Sequence, residues 1–349
     1  MHAVVRLLQD IQRAPSDREG VAGQRLARFL RWLAIVASVV MCFVLLQGTL
    51  VTNSGSAAGC GNTWPLCHGQ VIPEFSGVGG AATFIEFTHR AAVPVESTLI
   101  LLLSAGILWF WWGRKEARVL APAMIFFLFL QAVLGGLAVQ YPTSAGVLAA
   151  HFGISLMAFA SIVLTTAFVL EVGGAEKLRD RPLRPGLQWL IRGSLVYTYI
   201  VVYLGAYVRH VGASLSCLDW PLCNGQVIPR FIGGVEAQFA HRVAAGILVF
   251  VLLGVFVALR RFRLSRPDLY WASLASVVLV ILQALSGAIL IESRIAILST
   301  LLHSLLISLL FVVQAYMWLH TISRPAAVRL SALQVERTPA TGAPRAARA

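Results

Sequence analysis

The chain has 349 residues, 58% of them hydrophobic and only 12% charged, with a mean hydropathy of +0.78. A soluble domain carries about a quarter charged residues, so this composition excludes an ordinary globular protein and describes a chain that lives largely in lipid. A formal net charge of +13 raises nucleic acid as a partner, a reading that depends on where the basic residues fall.

Eight runs long and apolar enough to span a bilayer follow one another at about 30–51, 89–112, 119–139, 147–170, 188–208, 239–259, 269–290 and 298–320. The first is about twenty residues long with some thirty before it, longer than the apolar core of a secretory signal, so it is expected to be a retained span. The stretches 113–118, 172–192 and 260–266 hold Arg114, Lys115, Arg118, Lys177, Arg179, Arg181, Arg184, Arg192, Arg260, Arg261, Arg263 and Arg266. On the opposite side, 52–88 and 140–150 hold no Lys or Arg, and 209–240 and 291–297 hold only Arg209, Arg230 and Arg294. Twelve against three is the positive-inside pattern. It places both termini in the cytoplasm, in a plasma (inner) membrane surrounded by lipid, and removes the case for nucleic acid.

The chain is also duplicated. "WPLCHGQVIPEF" (Trp64 to Phe75) and "WPLCNGQVIPRF" (Trp220 to Phe231) agree at ten of twelve positions. "EFTHRAA" at 86–92 matches "QFAHRVA" at 238–244, and "QAVLGG" at 131–136 matches "QALSGA" at 283–288. His89 to His151 is 62 residues, and so is His241 to His303. The expected fold is therefore an all-α polytopic membrane protein, with eight transmembrane helices arranged as two tandem, pseudo-symmetric four-helix bundles of the same orientation. The expected divisions are a cytoplasmic segment 1–29, a bundle 30–171, a cytoplasmic linker 172–187, a second bundle 188–321 and a disordered basic tail 322–349.

The second and fourth helices of each half start on the outer side, so His89, His151, His241 and His303 are expected within one or two turns of those starts. Ionisable side chains inside a membrane are costly and mark function by default. A lone histidine bonded to a neighbouring helix would be unremarkable. Two imidazoles on two helices of one bundle, repeated at equal spacing, suit axial ligation of a haem iron. Zinc would want three or four ligands at short spacing, and no HxxxH or paired carboxylate lies near. The absence of CxxCH excludes covalent c-type haem. Gly135, Gly136 and Gly287 would let a flat macrocycle approach a helix backbone, and helix packing explains them almost as well. His2, His320 and Cys42 have no partner in the repeat, and His68 and His210 read as surface histidines.

Cys60 and Cys67 lie in the first outer loop, Cys217 and Cys223 in the third, both facing an oxidising compartment. Each pair can close a local bridge if its loop turns back, giving Cys60–Cys67 and Cys217–Cys223. A structural staple and a redox-active pair both remain open.

On the eight spans, the "EFTHR" motif, the four histidines and the paired-cysteine loops, the chain from about 30 to 320 resembles the haem A synthase family. The resemblance implies oxidation of a haem O methyl group to the formyl group of haem A by successive hydroxylation, with a haem b cofactor. It makes His241 and His303 the haem b ligands, His89 and His151 the lining of the haem O or haem A site, and Glu86 the catalytic carboxylate. It also implies haem O synthase and oxidase assembly factors as partners. The residues add one asymmetry, Glu86 against Gln238: a glutamate can exchange protons where a glutamine cannot. Two other classes are compatible with the histidine pairs: a haem transporter or oxidase-assembly chaperone, which would need no Glu86, and a di-haem b-type quinol oxidoreductase. Such a protein would set its haems at different depths, whereas all four histidines here are expected on one side.

Overall fold

The structure, a computed structural model, describes residues 21–141, 144–172 and 175–322. Most of the expected N-terminal segment 1–29, and the tail beyond residue 322, lie outside these. Eight helices are long and apolar enough to cross a membrane: α1 (Val21–Asn53), α2 (Gly80–Trp111), α3 (Lys115–Gln140), α4 (Ala145–Glu171), α5 (Pro185–His210), α6 (Val235–Leu259), α7 (Pro267–Glu292) and α8 (Ile297–Thr321). The chain is a multi-pass membrane protein, all-helical among the described residues.

Local sequence explains where these helices begin. Pro185 and Pro267 open α5 and α7, where the missing N–H costs nothing. The Ser144 side chain accepts from the Val147 N–H at the start of α4. The start of α2 lies well before its expected place, at Gly80 rather than near 89. Residues 80–88 contain no breaker, and their polar members are hidden rather than solvated. Thr83 donates to the Gly59 carbonyl at 2.7 Å, and Glu86 is buried against the preceding loop. Hydropathy alone assigns such residues to the outside.

Sequential helices pack in a ring within each half. α1 meets α2, α2 meets α3, α3 meets α4 and α4 returns to α1; α5 to α8 repeat the circuit. The halves join through α4, α5, α8 and α1, so α4 and α8 are the most enclosed spans. One continuous apolar cluster runs through both rings, from Leu30 and Leu103 to Leu252 and Phe311.

A polar clamp fastens the halves at the end away from the cysteine loops. Arg266, almost wholly buried, grips Asp268 through Nε–Oδ1 at 3.0 Å and NH2–Oδ2 at 2.7 Å and donates to the carbonyls of Arg181 and His320. The His320 ring joins Asp268 of α7 at 2.7 Å to Glu171 of α4 at 3.0 Å, and Tyr316 donates to Glu171 at 2.7 Å. Each charge in the cluster has a partner, the condition under which buried ions are tolerated.

Candidate functional site: paired imidazoles beneath disulfide loops

Each half carries a disulfide loop over the same end of its bundle, Cys60–Cys67 in the first and Cys217–Cys223 in the second. The two loops share one fold, with cis Trp64–Pro65 and Trp220–Pro221 bonds and matching bridges from Cys67 to Gln70 and from Cys223 to Gln226. Residue 86 or 238, one helical face below, ties each loop down. The Cys60 N–H donates to Glu86 Oε2 at 2.8 Å, and the Cys217 N–H donates to Gln238 Oε1 at 2.5 Å.

The second valence of each tether differs. Glu86 Oε1 pairs with Arg90 at 2.5 Å, and Arg90 also donates to the carbonyls of Thr63 and Leu66. Gln238 Nε2 instead donates to the Ser214 carbonyl at 2.7 Å, and Arg242 reaches the carbonyls of Cys217, Asp219 and Leu222. The loops differ at one more point. Thr63 Oγ1 accepts from the Gly69 N–H, whereas Asp219 accepts from the N–H groups of Gly225 and Asn224 at 2.7 and 2.5 Å. Those bonds, the Gly225 one foremost, hold the Asp219 carboxyl below the usual carboxylate range.

Beneath the loops, His151, His241 and His303 are each the seventh residue of α4, α6 and α8, and His89 is the tenth of α2. All four lie toward the same end of the molecule. His151 is within electrostatic range of His89, and His303 within range of His241. Each half therefore brings two imidazoles together from facing helices, and the different depths of a transmembrane di-haem chain are not found.

Every imidazole rests against a glycine of a neighbouring helix. A Cβ on Gly48 of α1 would stand 3.3 Å from the His89 ring, and one on Gly135 of α3 would stand 3.7 Å from His151. In the second half the same test gives 2.7 Å from Gly205 of α5 to His241 and 3.4 Å from Gly287 of α7 to His303. Gly135 and Gly287 thus make room for histidine rings, a closer reason than the macrocycle approach expected from sequence, and Gly136 packs under the Trp64 indole. Gly48 and Gly205 were not legible as part of the site, although both sit at matching points of the repeat, "QGTL" and "LGAY".

The ring nitrogens test whether these residues suit an iron macrocycle. Nδ1 of His89, His151 and His241 is buried with no hydrogen-bond partner among the described residues, so each ring has a nitrogen that the protein leaves idle. His303 is oriented instead. The Ser286 hydroxyl donates to the Gln283 carbonyl, so it accepts from Nδ1–H at 2.8 Å and leaves Nε2 as the lone-pair nitrogen, met by the Gln283 amide at 3.0 Å. Holding Nδ1–H in this way fixes the tautomer a metal needs at Nε2. Among the described residues no group of three or more His, Cys, Asp or Glu side chains gathers to hold a bare metal ion. The donor set fits two imidazoles on one iron in each half.

Two other residues differ from their sequence reading. His210, at the end of α5, is within electrostatic range of His151 rather than on an isolated surface. Its neighbour Arg209 donates to Asn53 Oδ1 at 2.7 Å, crossing between halves. His320, given no role from sequence, is the hinge of the inner clamp. His68, in the exposed loop as its surface reading expected, donates from Nε2 to the Gly59 carbonyl at 2.8 Å and takes the positive φ that Asn224 takes in the other half.

These features define a duplicated membrane bundle with a two-imidazole site under a disulfide lid in each copy. The chain matches the model of the COX15-CtaA family, cytochrome oxidase assembly protein, over residues 78–315. It is 38% identical to the heme A synthase of Bacillus licheniformis over 293 residues, covering 82% of this chain and 94% of that protein. It is 40% identical to that of Bacillus pumilus (82% and 93%) and 38% identical to that of Alkalihalophilus pseudofirmus (85% and 98%). The chain belongs to the COX15-CtaA family, the family of the heme A synthases.

Proposed function

We propose that this protein is a haem A synthase, oxidising a methyl group of haem O to the formyl group of haem A by successive hydroxylation. The observation that carries the reading is the duplicated imidazole pair, two idle or oriented rings per bundle at one depth, together with relatives that bear this name over most of both chains. In this reading His89 and His151 hold the substrate haem in the N-terminal bundle (30–171), and His241 and His303 hold haem b in the C-terminal bundle (188–321). When bound, haem b supplies one-electron chemistry to the substrate half. The chain's own residues bind the two macrocycles and keep water from them beneath the loops. The charge asymmetry of the connecting segments supports cytoplasmic termini and extracytoplasmic cysteine loops, where disulfides persist. Haem O synthase upstream and oxidase assembly factors downstream are the partners such a reaction requires.

Glu86 is the proposed proton-handling carboxylate. It lies one turn from His89 on the same helix face, and the half assigned to the cofactor carries glutamine there. A second reading is favoured by a specific observation. Gln238 performs the same tethering of a cysteine N–H, so Glu86 can be read purely as the anchor of its loop. The overall function is tested by supplying haem O to the purified protein with an electron donor in aerated buffer, so that dioxygen and water are both present, and identifying the extracted haems by mass. Haem A is expected; haem O that is bound and recovered unchanged would overturn the proposal.

A further inference from the structure

Glu96 is a buried carboxylate that nothing described so far uses. It lies in α2, only 2% exposed, and neither oxygen has a hydrogen-bond partner among the described residues. A lone carboxylate in a membrane interior is costly and marks function by default. Its place on the helix is informative. Thr83, Glu86, Glu96, Ile100, Leu103 and Ile107 form the buried stripe of α2. Seven residues separate Glu96 from His89, a rotation of only about 20° and a rise of about 10 Å. Glu96 therefore sits on the His89 face, on the inner side of the ring.

The repeat supplies the contrast. Counting from His241 as Glu96 counts from His89 leads to Leu248, also 2% exposed and part of the apolar core. The two proposed ligands differ in the same sense. Haem O carries a hydroxyethylfarnesyl chain where haem b carries a vinyl group, so its inner edge bears one hydroxyl that haem b lacks. Its propionates, being charged, would be solvated at the aqueous end under the cysteine loop, which would direct the opposite edge of the macrocycle inward. We propose that Glu96 binds the hydroxyl of the hydroxyethylfarnesyl group and selects haem O over haem b in the N-terminal bundle. A hydroxyl both donates and accepts, so it satisfies this carboxyl in either protonation state. Leu248 offers the corresponding apolar surface to a vinyl edge. The inference rests on the assignment of the substrate to the N-terminal half.

The test uses full-length protein already carrying haem b, titrated separately with haem O and with haem B and followed by the Soret band. Wild type is expected to prefer haem O. Glu96→Leu, which installs the residue of the other half, should lose about 10- to 100-fold of that preference, the worth of one hydrogen bond to a charged group. The loss should come from weaker haem O binding with haem B binding unchanged. Glu96→Gln should retain most of the preference. If Glu96→Leu lowers haem b occupancy, Glu96→Met, which keeps the side-chain length, is read in its place. A leucine or methionine variant with wild-type preference would overturn the role of Glu96 and leave the proposed function standing. Wild-type protein that takes up no haem O would instead bring down the substrate assignment itself.

Discussion

Replacing Glu86 with glutamine separates the two readings of that residue, because the other half already shows what a glutamine does there. The Cys60 N–H keeps its acceptor, since the Gln238 carbonyl oxygen takes the Cys217 N–H in the same way. In the other half the Gln238 amide donates to the Ser214 carbonyl, whose aligned counterpart here is Ala57. What is lost is the Arg90 ion pair, in which the two side chains are 12% and 5% exposed. Arg90 keeps the Thr63 and Leu66 carbonyls, so no buried charge is stranded. The net stability cost is about 1 kcal/mol, a fall of a few degrees in Tm. Loss of a general acid or base slows the chemical step about 10²–10⁴-fold, roughly 3–5 kcal/mol of barrier. The expected outcome for Glu86→Gln is therefore an intact haem b spectrum, a nearly unchanged Tm and a haem A yield per turnover at least a hundredfold lower, with haem O accumulating. Extraction and mass analysis after timed incubation measure it. A rate within a few-fold of wild type would refute proton handling and leave Glu86 as the anchor of the Cys60–Cys67 loop.

The glycine shelves predict a graded effect. Gly205→Ala places a Cβ 2.7 Å from the His241 ring and should displace it, weakening haem b or converting its spectrum to high spin, whereas Gly48→Ala at 3.3 Å should perturb the other half less; an unchanged haem b spectrum in Gly205→Ala would sink this. Asp268→Ala strands Arg266 and leaves His320 Nδ1 without its partner, only the Nε2 contact to Glu171 remaining, so thermal unfolding in detergent should show a loss of about 3–5 kcal/mol, and an unshifted midpoint would count against the clamp. The Asp219 carboxyl is held low, so the order it gives its loop is present above the ordinary carboxylate pKa and fades as pH falls through the depressed one. Phosphine reduction of Cys217–Cys223 should accelerate at acid pH relative to Cys60–Cys67, whose loop uses Thr63 at the matching point; parallel pH profiles for the two bridges would contradict it.

The spans, their number and the duplication were legible because hydropathy and exact repeats are properties of the string itself. The four histidines were legible because an ionisable group in an apolar run is conspicuous, and a repeated spacing makes it more so. The start of α2 was not, since residues 80–88 owe their helix to a loop that folds over Thr83 and Glu86. Nor was the tether between residue 86 or 238 and a cysteine N–H, because a side chain meeting a backbone group 26 or 21 residues away leaves no periodic trace. Gly48 and Gly205 escaped for a related reason. A helical glycine carries no mark that says which side chain of which neighbour it admits. The inner clamp joins Glu171, Asp268 and His320 from three helices, and only their packing reveals that these isolated charges neutralise one another.

What the two halves share and where they part follow a single physical rule. On the proposed reading each half holds a flat, rigid group between two helices under a loop, and both keep the histidine, the glycine behind it, the tether at 86 or 238 and the arginine that gathers loop carbonyls. These are demands of shape, and a duplicated sequence meets them twice with the same residues. The halves diverge at positions where a proton or a hydroxyl is at stake: Glu86 against Gln238, Glu96 against Leu248 and Thr63 against Asp219. Two of these three place an extra carboxylate in the N-terminal bundle, both on the His89 face of α2. An inert cofactor pocket gains nothing from a buried acid and bears its desolvation cost. A pocket whose ligand carries a hydroxyl and changes its protonation during oxidation can use both. On the proposed assignment, both acids of α2 fall in the bundle that holds the reacting haem, and the Glu86→Gln and Glu96→Leu variants test that placement separately.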